Sequence, residues 1–154
     1  MSSGIDNRLM PGPPPSMSIV EKACPVVYRR RGGKIELLAF CHPLAGKQFV
    51  KGTIEPGEAP LRAAARELWE ESGLTMQSDP IDLGTCRIIN CNTLWHVFAW
   101  RADDLPEAWH HDTQDDGGQR FSFFWHPLES QLDDDWHPIF HEAYAFIALR
   151  LPRG

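Results

Sequence analysis

Glu67, Glu70 and Glu71 place three carboxylates within five positions. The stretch around them, 59–72, is dominated by alanine, arginine, glutamate and leucine, all strong helix formers. A helix is predicted there. Pro60 suits its first turn, and Gly73 suits its C-terminal stop. At about 100° per residue, Leu61, Ala64, Ala65 and Leu68 form an apolar stripe, and the three glutamates share a face of about 100° flanking it. Arg66 borders that face. Like charges at helical spacing repel by about 0.2–0.5 kcal/mol per pair. A divalent cation would offset that cost, and an all-oxygen ligand set suits Mg²⁺ or Mn²⁺. A plain solvated glutamate face is the alternative reading.

The flanking sequence must position these groups. Segments 23–29 and 35–41 are apolar and read as strands joined by a Gly32-Gly33 turn. The basic cluster Arg29, Arg30, Arg31 and Lys34 is expected to be solvated at the tip of that hairpin. Glu55-Pro56-Gly57-Glu58 is a turn signal. Segments 81–90 and 93–101 read as further strands, with Trp95, Val97 and Ala99 alternating against His96, Phe98 and Trp100. Segment 102–118 is acidic and reads as a loop, and 120–126 reads as a strand. Asp133, Asp134 and Asp135 precede a second predicted helix, where acidic residues suit the N-terminus and Pro138 the first turn. Ile139, Phe140, Ala143, Phe146, Ile147 and Arg150 recur along it at helical spacing. Strands and two helices without regular βαβ alternation imply an α/β fold with a mixed sheet and a helix on each face. Residues 1–18 contain four prolines and read as a flexible Pro-rich arm, Pro13-Pro14-Pro15 offering a partner-binding segment; residues 19–154 form the folded domain.

The bulk properties narrow the class. A chain of 154 residues suits one domain and can bury a substantial core. A net charge of −6 carries no general nucleic-acid footprint. No run of about 18 apolar residues exists, so no membrane span is expected, and the N-terminus lacks a signal-peptide pattern. Cys24, Cys41, Cys86 and Cys91 form no C-x-x-C pair and lie in apolar runs. They read as reduced core thiols of a cytoplasmic protein. Neither His110-His111 nor His137 with His141 completes a zinc-protease pattern.

Wider context sharpens the glutamate face. Gly52, five residues, Glu58, seven residues, then Arg66-Glu67-Leu68-x-Glu70-Glu71-x-Gly73-Leu74 matches the Nudix box at every defined position. The sequence therefore resembles the Nudix hydrolases. The resemblance implies an α/β/α sandwich with a mixed sheet between helices, and metal-dependent cleavage of a nucleoside diphosphate linked to another moiety. By position it implies Glu67, Glu70, Glu71 and the Gly52 carbonyl as metal ligands, with Mg²⁺ or Mn²⁺ as cofactor. Glu70, Glu67 and Arg66 would be the catalytic group, with Glu70 the first choice of base. The acids Glu107, Asp112, Asp115, Asp116 and Glu129 are the other choices. Glu58 would pair with Arg66 or join the outer metal and substrate shell. Lys51, just before the box, is similar to a lysine of diadenosine polyphosphate hydrolases and would contact a phosphate, although Val50 stands where those proteins carry proline. Phe49, Trp95, Trp100, Trp109 and Trp125 could stack a base. The expected partner is a small nucleoside diphosphate derivative, with no stable nucleic acid and no membrane; oligomeric state is open, a homodimer included. The competing reading is a catalytically silent Nudix domain acting as a nucleotide sensor. It is disfavoured because all the box glutamates are present.

Overall fold

The computed structural model describes residues 19–114 and 117–153. The proposed arm, 1–18, and the candidate bases Asp115 and Asp116 lie outside these residues. The elements in chain order are β1 (Val20–Arg31), β2 (Lys34–His42), β3 (Gly46–Gln48), β4 (Gly52–Thr53), α1 (Pro60–Ser72), β5 (Ile81–Ile88), β6 (Thr93–Arg101), β7 (Trp109–Asp112), β8 (Arg120–Pro127) and α2 (Pro138–Arg150).

The main sheet runs β5-β6-β1-β2-β8-β7, with β3 on β2 and β4 on β1. Only β1 and β6 pair in parallel among the described strands. Strand alternation then sorts side chains onto two faces. Cys24, Val26 and Tyr28 of β1, Leu37 and Ala39 of β2, and Trp95, Val97 and Ala99 of β6 pack with Phe140, Ala143, Tyr144 and Ile147 of α2. The intervening residues Val27, Leu38 and Phe40 pack with Leu68 of α1, while Ala23, Phe98 and Trp100 pack with Ala63 and Ala64. The central strands are thus apolar on both faces, and the fold is the expected α/β/α sandwich. The small residues Ala23, Ala63 and Ala64 are fully buried and bring α1 close to β1. Gly32 and Gly33 both have positive φ and close the β1–β2 hairpin as a two-residue turn.

Several expectations are corrected. The segment read as one loop, 102–118, contains the edge strand β7, whose four residues pair with β8. That run is too short, and too polar at His110 and Asp112, to show a strand pattern. Leu61 and Ala65 face outward, Leu61 being 40% exposed, while the buried side of α1 is Ala63, Ala64, Glu67, Leu68 and Ser72. The acidic face therefore overlaps the buried face instead of flanking it. The reason is that the sheet beneath α1 supplies a polar cleft as well as apolar side chains.

Arg29 is 2% exposed, contrary to a solvated basic tip. Its guanidinium lies 4.2 Å over the Trp125 ring and bonds Glu36 and Glu107 at 2.7 Å each. The aspartates 133–135 do not cap α2; His137 does, its Nδ1 accepting from the Ile139 N–H. Of the four unpaired cysteines only Cys24 is fully core; Cys41 and Cys86 are half-buried and Cys91 is exposed.

Candidate active site

The site begins with a tight turn. Pro56 and Gly57 occupy its centre, Gly57 at φ +77, and the Glu58 N–H bonds the Glu55 carbonyl at 3.0 Å. Pro followed by a positive-φ Gly is the type II pattern. The turn delivers Pro60 to the first turn of α1 and aims the Glu58 carboxylate back along the helix. At the other end Gly73, in the left-handed conformation at φ +80, donates its N–H to the Trp69 carbonyl and ends the helix.

Arg66 organises the cleft. It binds Glu58 through two nitrogens at 2.7 and 2.9 Å, Glu67 at 2.8 Å, Glu70 at 3.1 Å and the Thr53 carbonyl at 3.1 Å. Its bond to Glu58, and next its bond to Glu67, outweigh burial and hold the guanidinium firmly protonated. Conversely Arg66, and next the Glu55 N–H, pull the Glu58 carboxyl down to about 2. Glu58 is thereby committed to holding Arg66, the first of the two roles expected for it. Glu67 is 7% exposed, and Arg66 gives its buried carboxylate a charged hydrogen-bond partner.

Gly52 makes room for Glu67. A Cβ on Gly52 would overlap the carboxylate of Glu67. Gly52 is held there by β4, which pairs Gly52 with Ala23 and Thr53 with Lys22. Glu67, Glu70, Glu71, Gly52, Lys51 and Arg66 all line one cleft, together with Glu55, Thr53 and Lys22. The predicted site residues are thus brought together, and Lys22 joins them. Lys22 comes from a strand 31 positions away from its hydrogen-bond partner Thr53, so no local spacing reveals it. Burial, and then the nearby Lys51 charge, push the Lys22 pKa down.

The donors fit a hard divalent cation in kind: carboxylate oxygens, with a backbone carbonyl at Gly52, where the missing Cβ leaves room for the Glu67 carboxylate. Among the described residues no three acidic, imidazole or thiol side chains already stand at coordinating positions, because Glu67 and Glu70 are turned onto Arg66. Arg66 thus acts as counter-charge to two of the candidate carboxylates.

Other expected residues lie elsewhere. Glu107 is bound by Arg29 and Arg31, chiefly the former, and is pulled down to about 2. Glu129 pairs with Lys34 at 3.3 Å, and Asp112 with Arg120 at 2.8 Å. None of the three lines the cleft. Phe49, Trp95 and Trp100 are buried core, Trp109 stacks on Phe123, and Trp125 lies under Arg29. None presents an open ring face to the cleft. The indole that does stand open is Trp69, 60% exposed, in a depression shared with Glu70, His111 and Gln114.

The description "NUDIX domain" matches residues 21–145. The chain belongs to the Nudix family. It is accordingly a hydrolase acting on phosphoric anhydrides. Solved structures with the same fold include an Ap4A hydrolase binary complex from C. elegans, at 20% identity and TM-score 0.61, covering 83% of this chain and 96% of that one. A MutT protein from Methanosarcina mazei Go1 aligns at 17% identity and TM-score 0.59, covering 87% and 96%. The NUDIX domain of Shewanella oneidensis NrtR complexed with ADP ribose aligns at 12% identity and TM-score 0.56, covering 80% and 83%. At these identities the likeness is one of fold. No curated protein sequence matches significantly. Among the described residues, no helix is long and apolar enough to cross a membrane.

Proposed function

We propose that this Nudix domain is a divalent-metal-dependent pyrophosphohydrolase that cleaves a nucleoside diphosphate linked to another moiety by attack of water on phosphorus. The observation that carries this reading is the convergence of Glu67, Glu70, Glu71 and Gly52 in one cleft beside the Arg66 guanidinium. Glu67, Glu70, Glu71 and the Gly52 carbonyl would hold Mg²⁺ or Mn²⁺. Such an ion, when bound, neutralises phosphate charge and lowers the pKa of water. Arg66 holds Glu67 and Glu70 in register by charge-assisted hydrogen bonds. Arg66 engages Oε1 of Glu70, which leaves Oε2 to take the proton of the attacking water. The water oxygen bonds to phosphorus as the bridging oxygen leaves. Unpaired cysteines support a reducing, cytoplasmic setting for this chemistry.

The test is hydrolysis of a panel of dinucleoside polyphosphates, nucleotide sugars and nucleoside triphosphates with Mg²⁺ or Mn²⁺. At least one should be cleaved. Glu70→Gln should lower kcat by about 10²–10⁴-fold, the range for a positioned acid–base group. Cleavage of none, or full activity in Glu70→Gln, would reject the assignment or the role of Glu70 respectively.

A further inference from the structure

The last turn of α1 carries Glu70 and Glu71. A helix end is where backbone order is weakest, because its last four carbonyls have no partner within the helix. Side chains of one edge strand take two of them here. Nε2 of His111 lies 3.1 Å from the Glu70 carbonyl, and the Trp109 indole donates to the Ser72 carbonyl at 3.3 Å. A carbonyl can only accept, so Nε2 of His111 carries the proton. The two side chains leave β7 two residues apart and therefore on the same face.

Both partners are shaped for this contact. In the β7–β8 pair Trp109 lies opposite Phe123 and His111 opposite Phe121, and the Trp109 ring stacks on Phe123 with centres 5.0 Å apart. On the helix side, a Cβ at Gly73 would come within 3.1 Å of His111 Nδ1, tighter than ordinary contact. Glycine there lets the imidazole close on the helix end as well as stopping the helix. Glu70 is thereby held twice. Arg66, itself bonded to the Thr53 carbonyl of β4, takes Oε1 of Glu70, and His111 takes its carbonyl. The first contact orients the carboxylate. The second fixes the peptide from which the carboxylate projects.

We propose that His111 is a positioning residue for the hydrolysis: by donating to the Glu70 carbonyl it latches the last turn of α1 to the sheet and keeps Glu70 and Glu71 in place in the cleft. His111 does not line that cleft, so it acts through the helix and not on the substrate. The kinetic consequence rests on the pyrophosphohydrolase reading above, whereas the latch rests on geometry alone.

The test compares wild type with His111→Phe, which keeps a ring and loses the donor, and His111→Gln, which keeps a side-chain N–H. Amide hydrogen exchange, read by NMR without ligand, should speed up by about fivefold at Gly73 and Leu74 in His111→Phe, as for loss of one net hydrogen bond. Core amides of β1 and β6 should not change. With the fastest-cleaved member of the panel above and saturating Mg²⁺, His111→Phe should lower kcat per folded molecule by about tenfold, the low end for losing an outer partner of a metal ligand. KM should hold, and His111→Gln should recover most of both losses. A residue that only stabilises the fold would leave kcat per folded molecule unchanged. Unchanged exchange at Gly73 and Leu74 in His111→Phe overturns the latch. Unchanged kcat, a loss confined to KM, or no recovery in His111→Gln overturns the positioning role. If wild type cleaves no panel member, the hydrolase reading fails, and the exchange rates still judge the latch.

Discussion

The two helices are matched in length, both run thirteen residues, and both begin at proline, yet they bury different kinds of side chain. Helix α2 buries Phe140, Ala143, Tyr144 and Ile147, and its contribution is packing. Helix α1 buries Glu67 beside Ala63, Ala64 and Leu68, and it carries the carboxylates of the cleft as well as packing residues. A buried carboxylate is costly unless its oxygens are engaged. Arg66, Glu58 and a glycine at position 52 remove that cost on α1, whereas α2 needs no such support. The sheet between them accommodates both, because its central strands present alternate residues to the two layers. One layer can thus carry stability while the other keeps charged groups in place for a ligand.

If this division holds, substitutions on the two sides should fail differently. On the α2 side, Ile147→Ala removes a fully buried side chain from the larger core cluster. It should cost about 2–5 kcal/mol in urea unfolding, with unchanged kcat per folded molecule. A fall in kcat of the folded fraction would show that the layers are coupled. On the α1 side, Gly52→Ala should do the reverse. The added methyl collides with the Glu67 carboxylate and displaces it, so activity should drop by about 10–100-fold, as for other disturbances of ligand positioning. The unfolding midpoint should move little by comparison. Retained activity would mean that Gly52 and Glu67 can part without harm.

The smallest expected effect is in acid. Arg66 holds Glu58 at about 2, below its ordinary 4.5, so their pairing stabilises the fold fully above pH 4.5 and is lost as pH falls toward 2. Melting temperature followed from pH 5 to pH 2 should show a shallower decline in Glu58→Gln than in wild type. Glu107, shifted in the same direction by Arg29, keeps some decline in either protein. An identical acid limb in both would place the pairing energy elsewhere.

Legibility in the sequence followed the range of the interactions. The helix at 60–72, its glycine stop, the turn at 55–58 and the convergence of three glutamates were all readable, because each depends on neighbours within a few positions. Which side of α1 is buried was misread, since Leu61 and Ala65 are apolar but lie where no sheet covers them. The aromatic residues misled for a related reason: composition marks an aromatic as important without saying that Trp95 and Phe49 are sealed in the core. Glu107 looked like a free loop acid until the fold brought it against Arg29, a residue 78 positions away.

The sequence by itself determined that a carboxylate-rich helix would be presented by a glycine-punctuated loop, and the full set of box residues marked the family. Helical geometry is local, so spacing alone settles which of those groups share a face. Only the tertiary structure decided that Arg66 would be saturated by carboxylates and that Lys22 and Lys51 would share its cleft. That depends on β4 pairing with β1 across some thirty residues of chain. Strand pairing joins distant segments through backbone hydrogen bonds, which carry no side-chain signature, and it alone brings the Lys22 ammonium to the glutamate cleft.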